Sequence, residues 1–297
     1  MKRILLLGLL LLSSVNPPAA ETPKFTRIED VIYGRKFGTA LTLDVFQPAE
    51  SNGYGILFMV SGGFFSSHEA INPNSYRPML DRGYTVFAVV HGSQPRFHIA
   101  EIVEDIHRAV RFVRHHSAKY GIKPDKLGIT GGSAGGHLSL TMGTQGKKGP
   151  AEAKDPIDRE SSAVQAVACF FPPTDFLNWG EPGVDAVGVG PLAFFKPAFG
   201  PASDTAESRQ KYGKEISPIH FVTADLPPTL IIHGDLDRLV PFQQAELFAK
   251  KAQETGAKHV KIIKREGKDH GWADMNKDVA VFADWFDEHL RGTKPGN

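Results

Sequence analysis

A mostly parallel β-sheet flanked by helices, an α/β architecture, is the fold class that this 297-residue sequence predicts. Three observations carry it. From about residue 55 onward, apolar β-branched runs alternate with segments of helical periodicity, the signature of strands joined by crossover helices. Most of those runs are continuously apolar, as strands covered on both faces must be. The composition, 41% hydrophobic and 23% charged, is that of a chain able to bury a large core.

The elements follow in order. Residues 1–20 run from Met-Lys-Arg through the apolar stretch Ile4 to Leu12 to Ser-Ser-Val-Asn-Pro-Pro-Ala-Ala, the order of a secretory signal peptide with its exit near Ala20. The apolar stretch is far short of the roughly 20 residues that span a bilayer, so no stable membrane insertion is expected after cleavage. Residues 21–297 are expected to form one domain, exported to the periplasm or the extracellular space. Arg27 to Tyr33 and Ala40 to Phe46 alternate apolar with polar residues and predict an antiparallel hairpin at one sheet edge. Strands are then predicted at Tyr54 to Val60, Tyr84 to Val90, Lys126 to Thr130, Val164 to Phe171, Thr229 to His233 and Val260 to Lys264. Between them, Ile102, Ile106, Val110 and Val113 mark a helix over Ile99 to Tyr120, and helices also fit Ala245 to Thr255 and Val279 to Leu290. Two stretches break the rhythm. Gly143 to Ser162 is polar and charged, and Leu177 to Ala224 interleaves glycine and proline with Phe194, Phe195 and Phe199, which makes it a candidate lid or pocket wall.

Composition also excludes function classes. Lys+Arg 34 against Asp+Glu 33 leaves a net charge of +1, without the basic footprint of a nucleic-acid binder. One cysteine cannot build a disulfide framework. That residue, Cys169, lies in an apolar run and reads as a buried strand residue.

The sharpest local feature is Gly131-Gly132-Ser133-Ala134-Gly135, directly after the strand Lys126 to Thr130 and directly before a helical run near His137. A serine there is held on a tight strand-to-helix turn at the sheet's C-terminal edge, and flanking glycines relieve the crowding. A serine hydroxyl needs a base near neutral pH, and the base needs a group to hold its tautomer. Candidates follow two later strands: Gly234-Asp235-Leu236-Asp237-Arg238-Leu239-Val240-Pro241, and Gly267-Lys268-Asp269-His270-Gly271-Trp272. Three groups on three strand ends can converge at one edge of a parallel sheet. A tetrahedral oxyanion also needs donors, and the glycine-bearing loop Val60-Ser61-Gly62-Gly63-Phe64-Phe65 offers backbone that can approach a substrate oxygen closely.

GGSAGGH, HGDLDRLVP and GKDHGW resemble the nucleophile, acid and histidine motifs of α/β-hydrolase fold serine esterases. The resemblance covers about residues 39 to 292 and is similar in particular to secreted carboxylesterases related to acetyl xylan and feruloyl esterases. It implies Ser133 as nucleophile, Asp237 as acid and His270 as general base and acid, with Asp237 selected over Asp235 by the x-x-Val-Pro that follows the family's acid. It implies an oxyanion hole at Ala134 and at Gly62, Gly63 and Phe64. Members of the family usually carry His-Gly-Gly-Gly or His-Gly-Gly-x-Trp in that loop. Here Ser61 replaces the histidine and Phe65 the tryptophan, which raises the question of how the loop is braced.

The implied reaction is hydrolysis of a carboxylic ester with a short or compact aromatic acyl group, on a small molecule or a polysaccharide, with no cofactor and no metal. An amidase or peptidase of the same fold, arylformamidase-like or prolyl oligopeptidase-like, is the alternative, and a non-catalytic binding protein on this scaffold is a further one. A dinucleotide-binding reading of the same glycines fails because the last glycine of its pattern falls on His137. His137 reads as packing, and His115-His116 as a solvated face with no acidic partner. His91-Gly92-Ser93 follows a strand but lacks the glycine-flanked serine. Asp175 reads as a shaper of the pocket.

Overall fold

The computed structural model describes residues 25–293. The proposed leader at residues 1–20 lies outside the described residues. Strand β1 (Phe25–Lys36) and β2 (Thr39–Pro48) pair antiparallel, and Phe37 and Gly38, both at positive φ, make the two-residue turn between them. The hairpin is longer at both ends than its alternation predicts. Its outer strand is largely exposed and carries Arg27, Glu29, Asp30, Arg35 and Lys36, charges that discourage pairing with another chain's edge.

The remaining strands are β3 (Gly55–Met59), β4 (Thr85–Val89), β5 (Leu127–Gly132), β6 (Ala166–Phe170), β7 (Thr229–Gly234) and β8 (Val260–Arg265). They complete an eight-stranded sheet in the order β1-β2-β4-β3-β5-β6-β7-β8, with β2 antiparallel to β4 and every pair from β4 through β8 parallel. Every residue of β4 and β6 is buried. Side chains alternate faces along a strand, so the sheet separates two cores. Leu57 and Met59 of β3 with Val167 and Cys169 of β6 face one core, while Ile56 of β3 with Ala166, Ala168 and Phe170 of β6 face the other.

The first core is roofed by helices Ile99–His115, Ala134–Gln145 and Gln243–Thr255, and the second mainly by helix Met275–Phe286. Two helices differ from expectation. The first stops at His115; a single tight turn at Ser117–Tyr120 follows and Gly121 closes it at φ 63°. The Tyr120 ring meets Phe87 edge-on at 5.2 Å, so the chain bends toward the sheet instead of continuing outward. The last helix begins at Met275, four residues before its first apolar marker, because Asp278 in its opening turn accepts the Trp272 indole N–H at 2.8 Å. It gives way at Asp287 to a wider turn, where the Asp287 carboxylate accepts the Tyr84 hydroxyl at 2.8 Å.

The stretch 177–224 is not an extended loop. It folds into short turns and the helix Ala206–Ile216, opened by a capping box at Thr205 and Ser208. Its Leu177, Trp179, Val187, Leu192, Phe199 and Ile216 join the first core. The polar stretch 143–162 is tethered by Arg108, which donates to Asp155 at 2.6 Å and Asp158 at 2.7 Å. No helix among the described residues is long and apolar enough to cross a membrane.

Candidate active site

Ser133 joins the end of β5 to helix Ala134–Gln145 at φ 54°, ψ −120°, a conformation that side-chain-bearing residues rarely adopt. The turn is tight enough that a Cβ on Gly131 would lie 2.7 Å from the Gly135 backbone, and one on Gly135 would lie 2.9 Å from the Met59 carbonyl oxygen. Only hydrogen fits at these two positions. The Ser133 N–H donates to Phe170 O at 3.1 Å, and the Ser133 carbonyl accepts from His137 at 2.9 Å, which locks the turn between β6 and its own helix.

The imidazole of His270 lies against this hydroxyl. His270 Nε2 is 2.9 Å from Ser133 Oγ, and His270 Nδ1 is 2.7 Å from Asp237 Oδ2. A carboxylate can only accept, so Nδ1 carries the proton and Nε2 is left to receive the serine's. Asp237 Oδ1 accepts the Leu239 and Val240 amides at 2.9 and 2.8 Å. Burial alone would raise the Asp237 pKa; hydrogen bonds from His233, His270 and the Val240 amide outweigh it and hold the carboxyl well below the usual carboxylate range. Asp235 turns elsewhere, accepting the Gly267 amide at 2.7 Å. The carboxylate at the imidazole is therefore Asp237.

Four further residues support this cluster, of which Phe171 lies outside every motif. Fully buried His233 donates from Nε2 to Val240 O at 2.8 Å, with Asp237 Oδ2 at 3.2 Å from the same nitrogen. Phe171, at φ 33°, places its ring centroid 4.4 Å from that of His270. Arg238 and Asp269 tie the acid turn to the histidine turn: Asp269 Oδ1 accepts both the Arg238 amide at 3.0 Å and the His270 amide at 2.8 Å. Hydrogen bonds from the Arg238 amide and side chain lower the Asp269 carboxyl to about 2.

The glycine loop after β3 lies beside the hydroxyl. The Gly62 amide is taken by Phe65 O at 3.0 Å, and Phe65 N–H returns to Gly62 O at 2.9 Å. Gly62 thus shapes the loop and, contrary to expectation, is not a free donor. The amides of Gly63, Phe64 and Ala134 have no hydrogen-bond partner among the described residues. Gly63 lies at φ 54°, and a Cβ there would meet the Phe195 ring at 2.6 Å, so the insertion rests directly on this loop. The histidine missing at position 61 has a counterpart: the buried His91 ring, with Nδ1 2.8 Å from Gly92 O, has Nε2 2.8 Å from Ser61 Oγ. His91-Gly92-Ser93 is therefore a brace, with Ser66 Oγ donating to Val60 O at 2.5 Å and accepting the His91 amide at 3.1 Å.

Two pockets meet at Ser133. One, of about 270 Å³, is lined by Gly63, Phe64 and Ala134 and walled by Trp179, Leu192 and Phe195 of the insertion. The other, of about 450 Å³, opens between Ser61, Phe65, Phe171 and Met275. Asp175 lines neither pocket, because its carboxylate turns inward to the Leu177 amide at 2.9 Å and Asn178 Nδ2 at 2.8 Å. His137 is fully buried, donates from Nε2 to Ile216 O at 2.6 Å and meets the Phe64 ring edge-on at 5.4 Å. His115 does find an acidic partner, Glu160 Oε1 at 3.2 Å, brought over by the polar stretch. Of groups with metal-ligating side chains, Glu29, Asp44 and His68 lie together among the described residues, but Arg27 already occupies Asp44, with Nε 2.7 Å from Oδ2. A guanidinium at that carboxylate is a poor neighbour for a second cation.

A hydroxyl, an imidazole and an ionised carboxylate in series, with free amides beside them, can carry out acyl transfer. Known proteins with related chains agree in character. The chain is 29% identical over 238 residues to the probable carboxylic ester hydrolase LipM of Mycobacterium tuberculosis, covering 78% of this chain and 53% of that protein. It is 27% identical over 227 residues to the esterase LipQ of the same organism, covering 73% of this chain and 50% of that one. It therefore spans about half the length of these curated relatives. Among solved structures, a truncated carbohydrate esterase from gut microbiota superposes with a TM-score of 0.75 at 28% identity, covering 92% of this chain and 99% of that chain. Butyrate-bound esterase 2 of Thermogutta terrifontis superposes with a TM-score of 0.69 at 26% identity, covering 93% and 98%. The BD-FAE family pattern matches residues 43–252, more than half of the sequence, and the chain belongs to that family, on an α/β-hydrolase fold.

Proposed function

We propose that this protein hydrolyses carboxylic esters through an acyl-enzyme on Ser133. The observation that carries the reading is the unbroken series from Ser133 Oγ through His270 to Asp237, at 2.9 and 2.7 Å. Ser133 Oγ attacks the ester carbonyl while His270 Nε2 takes its proton. The tetrahedral oxyanion is held by the free amides of Ala134, Gly63 and Phe64. Collapse of that intermediate breaks the bond to the alcohol, which leaves with the proton from His270. Water then attacks the acyl-enzyme as His270 removes its proton, and Ser133 regains that proton as the acid departs. Asp237 stays ionised throughout and stabilises the imidazolium.

The smaller, largely apolar pocket under the insertion is the acyl site in this reading, and its size suits a short or compact aromatic acyl group. The wider pocket takes the alcohol, which on a polysaccharide is the part that cannot be enclosed. The protein is read as one domain over residues 21–297, exported after loss of residues 1–20.

Labelling by a fluorophosphonate tests the nucleophile: it is expected in the wild type and absent in Ser133→Ala, and a folded wild type that does not label would sink the reading. A p-nitrophenyl acyl series measured beside an aryl formamide and a peptide amide tests the bond type, and faster amide than ester turnover would favour the amidase alternative. Acetylated and feruloylated polysaccharides then test the alcohol side. Detection of the mature chain with its N-terminus near residue 21 in the periplasm or medium tests export.

A further inference from the structure

Gln94 lies outside every motif of the site, on the loop that follows β4, and its side chain is buried, with the residue 5% exposed. Its Nε2 donates to Gly63 O at 2.6 Å and its backbone N–H to Phe64 O at 3.2 Å. The Gly63–Phe64 peptide is trans, and in a trans peptide the N–H points away from the C=O of the same unit. Holding Gly63 O against Gln94 therefore turns the Phe64 N–H to the opposite side, where Gly63, Phe64, Ser133 and Ala134 line one pocket. Both Gly63 and Phe64 sit at positive φ, 54° and 64°. Such a backbone returns to commoner conformations unless its surroundings hold it. Phe195 packs on Gly63 from the insertion, and Gln94 takes the carbonyl.

We infer that Gln94 is a positioning residue for the oxyanion: it aims the Phe64 amide at the developing negative charge without touching substrate. The inference rests on the ester-hydrolase reading above. Its role differs from that of a packing glutamine in one measurable respect. A misaimed amide costs only the reaction that puts charge on an oxygen at that point.

An ester and its thionoester, in which sulfur replaces the carbonyl oxygen, separate the two roles. Sulfur is larger and a weaker acceptor, so a well-aimed amide pair favours the oxygen substrate strongly. We expect Gln94→Met to lower kcat for a short p-nitrophenyl ester by about tenfold or more, a fraction of what loss of a whole donor costs, with KM within about twofold. The ratio of oxo- to thionoester turnover is expected to fall by about the same factor as kcat. Both substrates meet the same molecules, so this ratio is independent of how much of the variant folds. Gln94→Asn, one methylene too short to reach Gly63 O, gives the same readout if Gln94→Met does not accumulate. An unchanged ratio in a variant that still labels with fluorophosphonate overturns the assignment of Gln94 and leaves the esterase reading standing. A wild type that fails to label overturns both.

Discussion

The turn at Ser133 and the glycine loop after β3 sit side by side, both bend through positive φ and both depend on glycine, yet they are held in opposite ways. Gly131 and Gly135 are required by contacts with main chain: the turn's own backbone and the Met59 carbonyl. Gly63 is favoured by its φ of 54°, and a Cβ there is opposed by a side chain, Phe195, from a segment more than a hundred residues away. The loop's carbonyls and hydroxyls are likewise met from afar, by Gln94 and His91. A turn held by main chain, its own and that of β3 and β6, leaves no room for a side chain at these two glycines. A loop braced by distant side chains can be retuned by replacing them.

The largest expected effects break the turn. Ser133→Gly should abolish turnover, by about 10⁵-fold or more. It should also raise stability by about 1 kcal/mol in denaturant titration, since glycine accepts the φ of 54° that serine resists; a destabilised Ser133→Gly would mean the turn stores no strain. Asp237→Asn should lower kcat by about 10⁴-fold, because an amide does not enforce the Nδ1–H tautomer of His270, with the melting temperature as a check that the fold persists.

The comparison itself is tested by paired substitutions. Gly63→Ala should cost about a hundredfold in kcat, as expected for loss of an oxyanion donor, and Phe195→Ala in the same chain should restore part of it by removing the ring that the new methyl would strike, the strain of φ 54° remaining. Gly135→Ala should not be rescued by truncating any side chain, since the Met59 carbonyl oxygen is the obstacle. Equal rescue of both, or of neither, would erase the distinction.

The smallest effect concerns the brace. Burial lowers His91 from its ordinary 6.5 to about 4, so the folded state keeps the ring neutral. Burial likewise lowers His107 and His137 to about 4. A base whose folded pKa lies below its unfolded one contributes stability that is fully present above the unfolded value, and that stability is lost as pH falls toward the folded one. Unfolding midpoints measured between pH 7 and pH 4 should therefore fall, and His91→Gln should flatten that dependence. Asp237, lowered as an acid, adds its own loss as pH falls through and below the ordinary carboxylate range.

Much of this was legible in one dimension. Continuous apolar runs located the parallel strands because a strand covered on both faces has no polar side to show. Ser133 and His270 were legible because each sits in a short glycine-bearing turn after a strand, while that rule alone left the acid between Asp235 and Asp237. Gln94 and Phe171 were not legible, since their partners, Gly63 and Phe64 for the one and His270 for the other, lie far along the chain and nothing in the neighbouring residues marks them; His233 stands within the acid motif, but its contacts with Val240 and Asp237 exist only once that turn is folded. The stretch 177–224 read as an irregular excursion because its glycines and prolines obscure the periodicity of the turns it forms.

The sequence by itself determined the alternation of strands and helices, the glycines that permit two unusual turns, and the kinds of side chain at three strand ends. Those follow from local rules: period, propensity and the steric demands of a turn. Tertiary structure decided which carboxylate meets the imidazole, that Gly62 spends its amide within the loop, and that an imidazole from the end of β4 braces Ser61. Those depend on where parallel strands bring their ends together, and hydrogen bonds of about 3 Å are settled only when the sheet has closed the distance.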